Sequence, residues 1–75
     1  MGRLPALRVR EVVSALERAG FYLHHQTGGH AAFRHVTDAS RRVTVPVHRG
    51  DVKRGTLQGI LRQAGLPEED FRKLL

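Results

Sequence analysis

The sequence predicts an α+β domain with the element order α-β-β-β-α, in which two helices cover one face of a three-stranded antiparallel sheet. Two segments carry apolar residues at helical spacing, and three segments between them have the composition and the turn signals of strands. At 75 residues the chain has room for one hydrophobic core, so we expect a single domain over residues 1–75.

The first helix is predicted over residues 6–19. Its apolar positions recur three or four residues apart, at Val9, Val12, Val13, Leu16 and Ala19. Gly20 follows them and is suited to a left-handed helix stop. The opposite face is polar, so the helix can cover a sheet on one side and contact water on the other. Binding to a membrane surface is a weaker alternative, because the apolar face lacks Trp and Phe.

Three strands are predicted over residues 21–27, 30–36 and 42–47, separated by Gly28-Gly29 and by a polar turn. In the third strand valines alternate with other residues, which predicts that Val43, Val45 and Val47 face the core. Pro46 cannot donate a hydrogen bond, so the strand either ends there or lies at an edge of the sheet.

A second helix is predicted over residues 53–64, from the apolar positions Leu57, Ile60, Leu61 and Ala64, with Gly65 as its stop. A short third helix is predicted to begin near residue 67, with Phe71, Leu74 and Leu75 available for packing. The whole layout is that of double-stranded-RNA-binding domains, although a shared layout alone does not establish a shared function.

The chain is strongly basic, with 13 Lys and Arg, seven Asp and Glu and a formal net charge of +6. Residues 34–62 contain seven of the basic and two of the acidic residues, which favours a polyanionic partner. An ordinary soluble surface that happens to be basic is the alternative. Because there is no cysteine, no membrane-length apolar run and no secretory signal pattern, we expect a cytoplasmic protein.

All five histidines lie between positions 24 and 48. Histidine is the side chain best suited to transferring protons near neutral pH. His24 and His25 are adjacent in a strand, so we expect them on opposite faces, one of them half-buried, unless the strand is irregular. A metal site is a minor alternative, because cysteine is absent and only Asp38 and Asp51 lie nearby. We therefore predict neither a metal nor a cofactor.

His30 is distinguished by the two glycines before it. Gly28 and Gly29 supply a tight turn and leave the backbone open to an approaching phosphate. The alternative is an ordinary hairpin turn followed by an exposed imidazole. A second candidate segment is the basic loop that leads into the second helix, where Lys53 and its neighbours could hold phosphate; the alternative is a solvated loop.

Four sequence motifs occur in order along residues 8–66. They are Leu16-Glu17-Arg18-Ala19-Gly20-Phe21, Gly28-Gly29-His30-Ala31-Ala32-Phe33, Val43-Thr44-Val45-Pro46-x-His48 and Gly55-Thr56-Leu57-x-x-Ile60-Leu61-x-Gln63-Ala64-Gly65. Together they resemble the HicA family of toxins. In the order given, they are similar to the family's first helix and the residues that follow it, its glycine-Ser-His-x-x-Phe signature, its third strand and its second helix.

The resemblance implies a fold like that of double-stranded-RNA-binding domains, cleavage of mRNA, and neutralisation by a HicB-type antitoxin. The essential histidine of the family corresponds to His30. Two positions depart from the family pattern: Gly29 replaces the usual Ser, and Ala31 occupies a position that is frequently a second His or a polar residue. The missing hydroxyl is expected to weaken substrate positioning and so to lower activity.

These observations lead to one functional hypothesis, a metal-independent endoribonuclease with His30 as the general acid/base. The predicted RNA-binding residues are Gly28, Gly29, Arg34, Arg42, His48, Arg49, Lys53 and Arg54. His48 is also a second acid/base candidate, or else it only shapes its loop. The alternatives are a non-catalytic module that binds double-stranded RNA and a domain that mainly binds a protein partner, and the small core is compatible with a homo-oligomer.

Overall fold

The computed structural model describes residues 4–75, and within them it contains three helices and three strands. They are α1 (Val9–Arg18), β1 (Phe21–Thr27), β2 (His30–His35), β3 (Arg42–Pro46), α2 (Arg54–Ala64) and α3 (Glu68–Arg72). The element order and the α+β class match the prediction. The first strand has the predicted bounds, and the second and third each end one residue earlier than predicted.

The three strands form an antiparallel sheet in the order β1-β2-β3, so β2 is paired on both sides. Because side chains alternate across a strand, one face of the sheet carries the buried residues and the other does not. The buried residues on this core face are Phe21, Ala31, Phe33, Val43 and Val45. The helices pack against this face, which confirms the layout of a double-stranded-RNA-binding domain.

The helices bury the apolar positions that their spacing predicts. All four predicted positions of α2 are buried: Leu57, Ile60, Leu61 and Ala64. In α1, Val12 and Leu16 are buried, whereas Val9 and Val13, and Ala19 just after the helix, are only partly buried. Phe71 fixes the short α3, because its ring is completely buried, a burial that stabilises the fold by about 1.5–3 kcal/mol.

Helix α1 begins at Val9, three residues later than predicted. Arg8 is instead extended, and both Leu7 and Arg8 are bonded to the loop before α2. The Val52 amide donates to the Leu7 carbonyl at 2.7 Å, and Arg8 forms an isolated antiparallel bridge with Asp51. These contacts join residues more than 40 positions apart, so local helical spacing could not reveal them.

The prediction that Val47 faces the core is wrong. Its side chain is 38% exposed, whereas Val43 and Val45 are buried as expected. Strand β3 ends at Pro46 and is an edge strand, so both outcomes expected from the proline occur together. Val47 lies one residue beyond the end of the strand, where its side chain is left exposed.

Gly20 turns the chain from α1 into β1 with a φ of 97°, as its position after the helix predicts. Here His35 also closes on the turn, because its Nε2–H donates to the Ala19 carbonyl at 3.0 Å. Its Nδ1 accepts a hydrogen bond from the Thr37 amide at 3.2 Å. The ring packs edge-on against Phe21, with 5.0 Å between ring centroids, so His35 serves the fold.

Candidate functional site

His30 is the first residue of β2 and directly follows the turn at Gly28-Gly29. It lies opposite Thr27 of β1 on one side and opposite Pro46 of β3 on the other. Its neighbour Ala31 is buried on the core face, so His30 points to the opposite side of the sheet, where it is exposed. The imidazole therefore projects into solvent from a strand held on both sides.

The turn before His30 places no steric demand for glycine. Neither Gly28 nor Gly29 has a left-handed φ, and a Cβ atom at either position would meet no atom within 4 Å. The predicted tight turn is therefore present, but its backbone is one that other residues can adopt. What the glycines provide is open space next to the imidazole.

A β-bulge in β1 decides which histidines share the face of His30. The register shifts between Leu23, which pairs with Phe33, and His25, which pairs with Ala32, so His24 is the extra residue. The shift puts His25 on the same side as His30. His24 and His25 are both exposed, so the expectation that one of them is half-buried is wrong. The irregular strand, the stated exception, is what the structure contains.

The face of the sheet opposite the helices, called here the open face, consists of three rows of three paired residues. From the turn outward these rows are Thr27, His30 and Pro46, then His25, Ala32 and Thr44, then Tyr22, Arg34 and Arg42. None of the seven acidic residues lies in any of the three strands. The open face is therefore neutral to basic throughout.

Arg34 and Arg42 lie opposite each other in the row farthest from the turn. Arg34 is four positions after His30 in β2, which corresponds to about 13 Å along the strand. The Nε of Arg42 also donates to the Ala39 carbonyl at 3.3 Å. The two arginines thus share a face with His30 but occupy its opposite end.

Tyr22 completes that row, and sequence reasoning missed it along with His25 and Thr44. Tyr22 is 43% exposed and lies on the open face opposite Arg34. The alternation after the buried Phe21 was a usable signal for Tyr22. No sequence signal identified His25, because its face depends on the bulge.

His48 lies at the same end of the sheet as His30. The amide of Val47 donates to the Gly29 carbonyl at 2.9 Å, which holds the exit of β3 against the turn, and His48 is the next residue. Its Nδ1 donates to the Arg49 carbonyl at 2.7 Å. Since a carbonyl can only accept, the neutral ring carries its lone pair on Nε2, in the form that can take up a proton.

The basic loop lies between β3 and α2. Arg49, Lys53 and Arg54 are all exposed, and α2 begins at Arg54 without a capping side chain or an acidic residue in its first turn. Positive side chains at a helix N-terminus are unfavourable next to the helix dipole, so an anion bound there would offset them. The loop is anchored through Val52 to the segment before α1 rather than to the turn at His30.

Not every central arginine is available to a ligand. The Nε of Arg41 donates to the Ala64 carbonyl at 2.8 Å, and its guanidinium lies 5.2 Å from the ring centroid of Phe21. Arg41 therefore secures the end of α2 to the sheet.

Within residues 4–75, no three His, Cys, Asp or Glu side chains come close enough together to hold a metal ion, and no helix is long and apolar enough to cross a membrane.

Comparison with known proteins identifies the family. A search of curated proteins found no significant match. A family model described as the HicA toxin of bacterial toxin-antitoxin systems matches residues 9–66, from the start of α1 to just beyond α2. The matched region includes the whole sheet, His30 and the basic loop. The chain therefore belongs to the HicA toxin family.

Proposed function

We propose that this toxin is an mRNA interferase, a metal-independent endoribonuclease in which His30 acts as the general acid/base. The observation that carries the proposal is the exposed imidazole of His30 on a rigid central strand, beside a turn whose glycines leave space for a phosphate. A face without acidic residues surrounds it, so a polyanion can approach without charge repulsion.

RNA supplies its own nucleophile, so the chemistry required of the protein is small. An imidazole nitrogen of His30 takes the proton from the 2′-hydroxyl, and the 2′-oxygen forms a bond to the adjacent phosphorus. The bond from phosphorus to the 5′-oxygen breaks, that oxygen takes up a proton, and a 2′,3′-cyclic phosphate remains. No step of this scheme requires a metal ion.

The departing 5′-oxygen needs a proton donor, and protonated His48 is the candidate. It follows the residue that is bonded to the turn, and its Nε2 is the nitrogen that would carry the proton. Arg49, which is next to His48, Lys53 in the same loop, and Arg54, the first residue of α2, are candidates for holding the phosphate charge. We assign Arg34 and Arg42 to RNA contacts farther from the reacting phosphate.

Membership of the family implies a HicB-type antitoxin as the protein partner. We propose that the toxin acts on mRNA in the cytoplasm and that the antitoxin prevents this by binding the toxin. Binding of the antitoxin also accounts for the alternative function considered above, a domain that mainly binds a protein partner. Association into a homo-oligomer remains a separate proposal, to be checked by the mass of the purified protein in solution.

The cleavage test compares the parent protein with His30→Ala on a single-stranded RNA in EDTA, followed on a denaturing gel. General acid/base catalysis contributes about 10²–10⁴-fold, so the rate should fall at least about 100-fold. His24→Ala is the matched control, since it removes an exposed histidine of β1 and should leave the rate unchanged.

Three results would revise the proposal. Equal cleavage by His30→Ala would remove the assigned role and direct attention to His48. Cleavage that requires a divalent ion would contradict the metal-independent scheme. RNA that stays intact with the parent protein but still shifts on a native gel would favour the alternative function, a non-catalytic module for double-stranded RNA, to which the replacement of Ser by Gly29 lends some support.

A further inference from the structure

We infer that a single strand of RNA crosses the open face of the sheet, with one base stacked on Tyr22 and the backbone held by Arg34 and Arg42. This inference rests on the proposed function in one respect, namely that RNA is the substrate, and it adds the path of the substrate and the residue that contacts a base. The argument depends on the row of the open face that lies farthest from the turn.

Tyr22, Arg34 and Arg42 are neighbours across the three strands, because Arg34 is the pairing partner of both other residues. An aromatic ring beside basic side chains on a sheet is the arrangement that binds single-stranded nucleic acids: the ring stacks on a base while the cations neutralise phosphates. Tyr22 is 43% exposed, although burial of aromatic surface is favourable. Within residues 4–75, Tyr22 lies outside the hydrophobic core and the partly buried residues packed against it.

The rest of the open face leaves room for a strand between this row and His30. In the middle row His25 occupies the β1 edge, but β2 and β3 contribute only the small side chains of Ala32 and Thr44 between His30 and Arg34. The end rows are about 13 Å apart, so a short stretch of RNA can reach both. The absence of Asp and Glu from all three strands removes charge repulsion along this path.

The same geometry favours a single strand over a duplex. A base can stack on Tyr22 only if it has left its own stack, which the bases of a duplex have not. The sheet is also narrow, since its outer strands are about 10 Å apart, and a surface of that width fits one strand of RNA. The fold is that of a domain for duplex RNA, but the open face suits a different ligand.

The test uses a 2′-O-methyl RNA strand that lacks the nucleophile, so that binding is measured without cleavage. Fluorescence anisotropy of a labelled strand gives the Kd for the parent protein, Tyr22→Ala, Tyr22→Phe and Arg34→Gln. Arg10→Gln is the control with the same charge change, because Arg10 is exposed on α1, the helix that packs on the side of the sheet opposite the open face. Circular dichroism confirms that each variant is folded.

Each variant has its own expected result. Tyr22→Ala should weaken binding about tenfold, whereas Tyr22→Phe, which keeps a ring, should bind like the parent. Arg34→Gln should reduce the slope of log Kobs against log salt by about 0.7, the contribution of one phosphate contact in a single strand. Tyr22→Ala should leave that slope unchanged, and Arg10→Gln should alter neither the slope nor the Kd by a comparable amount.

Intrinsic fluorescence provides an independent measurement. Tyr22 is the sole tyrosine and the chain has no tryptophan, so the emission comes from this ring alone. A base stacked on it should quench the emission as the strand is added. N-acetyltyrosinamide titrated with the same RNA corrects for light absorbed by the RNA.

The outcomes separate this inference from the proposed function. If Tyr22→Ala and Arg34→Gln bind the strand as the parent does, or if the parent does not bind it, the open face is not the path, whatever the cleavage assay finds. A duplex that competes as well as the single strand also overturns the inference. If both variants lose binding and no protein cleaves RNA, the inference stands and the nuclease proposal fails.

Discussion

Replacement of Gly29 by Ser should restore a hydroxyl beside His30 at no structural cost. The backbone at Gly29 is outside the left-handed region, and an added Cβ would meet no atom within 4 Å. We therefore expect the free energy of unfolding to change by less than about 0.5 kcal/mol, as for other surface substitutions without special contacts. The substitution thus separates chemistry from folding.

The expected gain in rate follows from one additional hydrogen bond to the substrate. A net hydrogen bond contributes about 0.5–1.5 kcal/mol, so Gly29→Ser should cleave RNA about two- to tenfold faster than the parent if the bond forms in the transition state. Single-turnover cleavage of a labelled RNA, with protein in excess, measures this rate. Gly29→Ala is the matched control, because it adds the Cβ without the hydroxyl.

The comparison of the two variants decides the matter. A faster Ser variant and an unchanged Ala variant would mean that the hydroxyl positions the substrate. Equal rates for the Ser and Ala variants would show that the hydroxyl does not position the substrate. A Ser variant that unfolds at a clearly lower temperature would show that the space at Gly29 is not open. Either result would refute the reasoning.

Two further predictions concern the fold. Gly20→Ala should destabilise the domain by about 2–4 kcal/mol, measured by thermal denaturation. The φ of Gly20 is 97°, and the new Cβ would lie 2.8 Å from Nε2 of His35, which would disrupt the hydrogen bond from His35 to the Ala19 carbonyl. A loss below about 0.5 kcal/mol would contradict this prediction. The hydroxyl and then the amide of Ser40 hold the pKa of Asp38 below its ordinary value, so this carboxylate stabilises the fold above the pKa of the unfolded chain and ceases to do so as pH falls through the lowered value. Acid titration should therefore destabilise the parent slightly more than Asp38→Asn, and equal acid sensitivity would contradict the assignment.

The sequence predicts well those elements whose signals are local. Leu57, Ile60 and Leu61 mark a helix by spacing alone, and Gly65 ends it with a φ of 65°. The predicted start of α1 is too early because Leu7 and Arg8 pair with Val52 and Asp51 instead of joining the helix. Such pairing between distant segments leaves no periodic trace in the sequence.

The candidate site shows the same division. His30 could be found because two glycines precede it and because its motif resembles that of a family. Its neighbours could not, because the bulge at His24 decides the face of His25, and a bulge is a property of strand pairing. Tyr22 needed the partner strand as well, since its significance comes from lying opposite Arg34.

The strand that presents His30 also explains how an exposed residue can be held precisely. Ala31 and Phe33 are buried on the core face, and their packing fixes the outward direction of His30, Ala32 and Arg34, which alternate with them. The backbone of β2 is further constrained because β2 pairs with a strand on each side. The hydrogen bond from the Val47 amide to the Gly29 carbonyl continues this pairing beyond the end of β3. Catalytic groups act best from such rigid elements. Substitutions on the open face therefore test RNA binding and cleavage with little effect on the core.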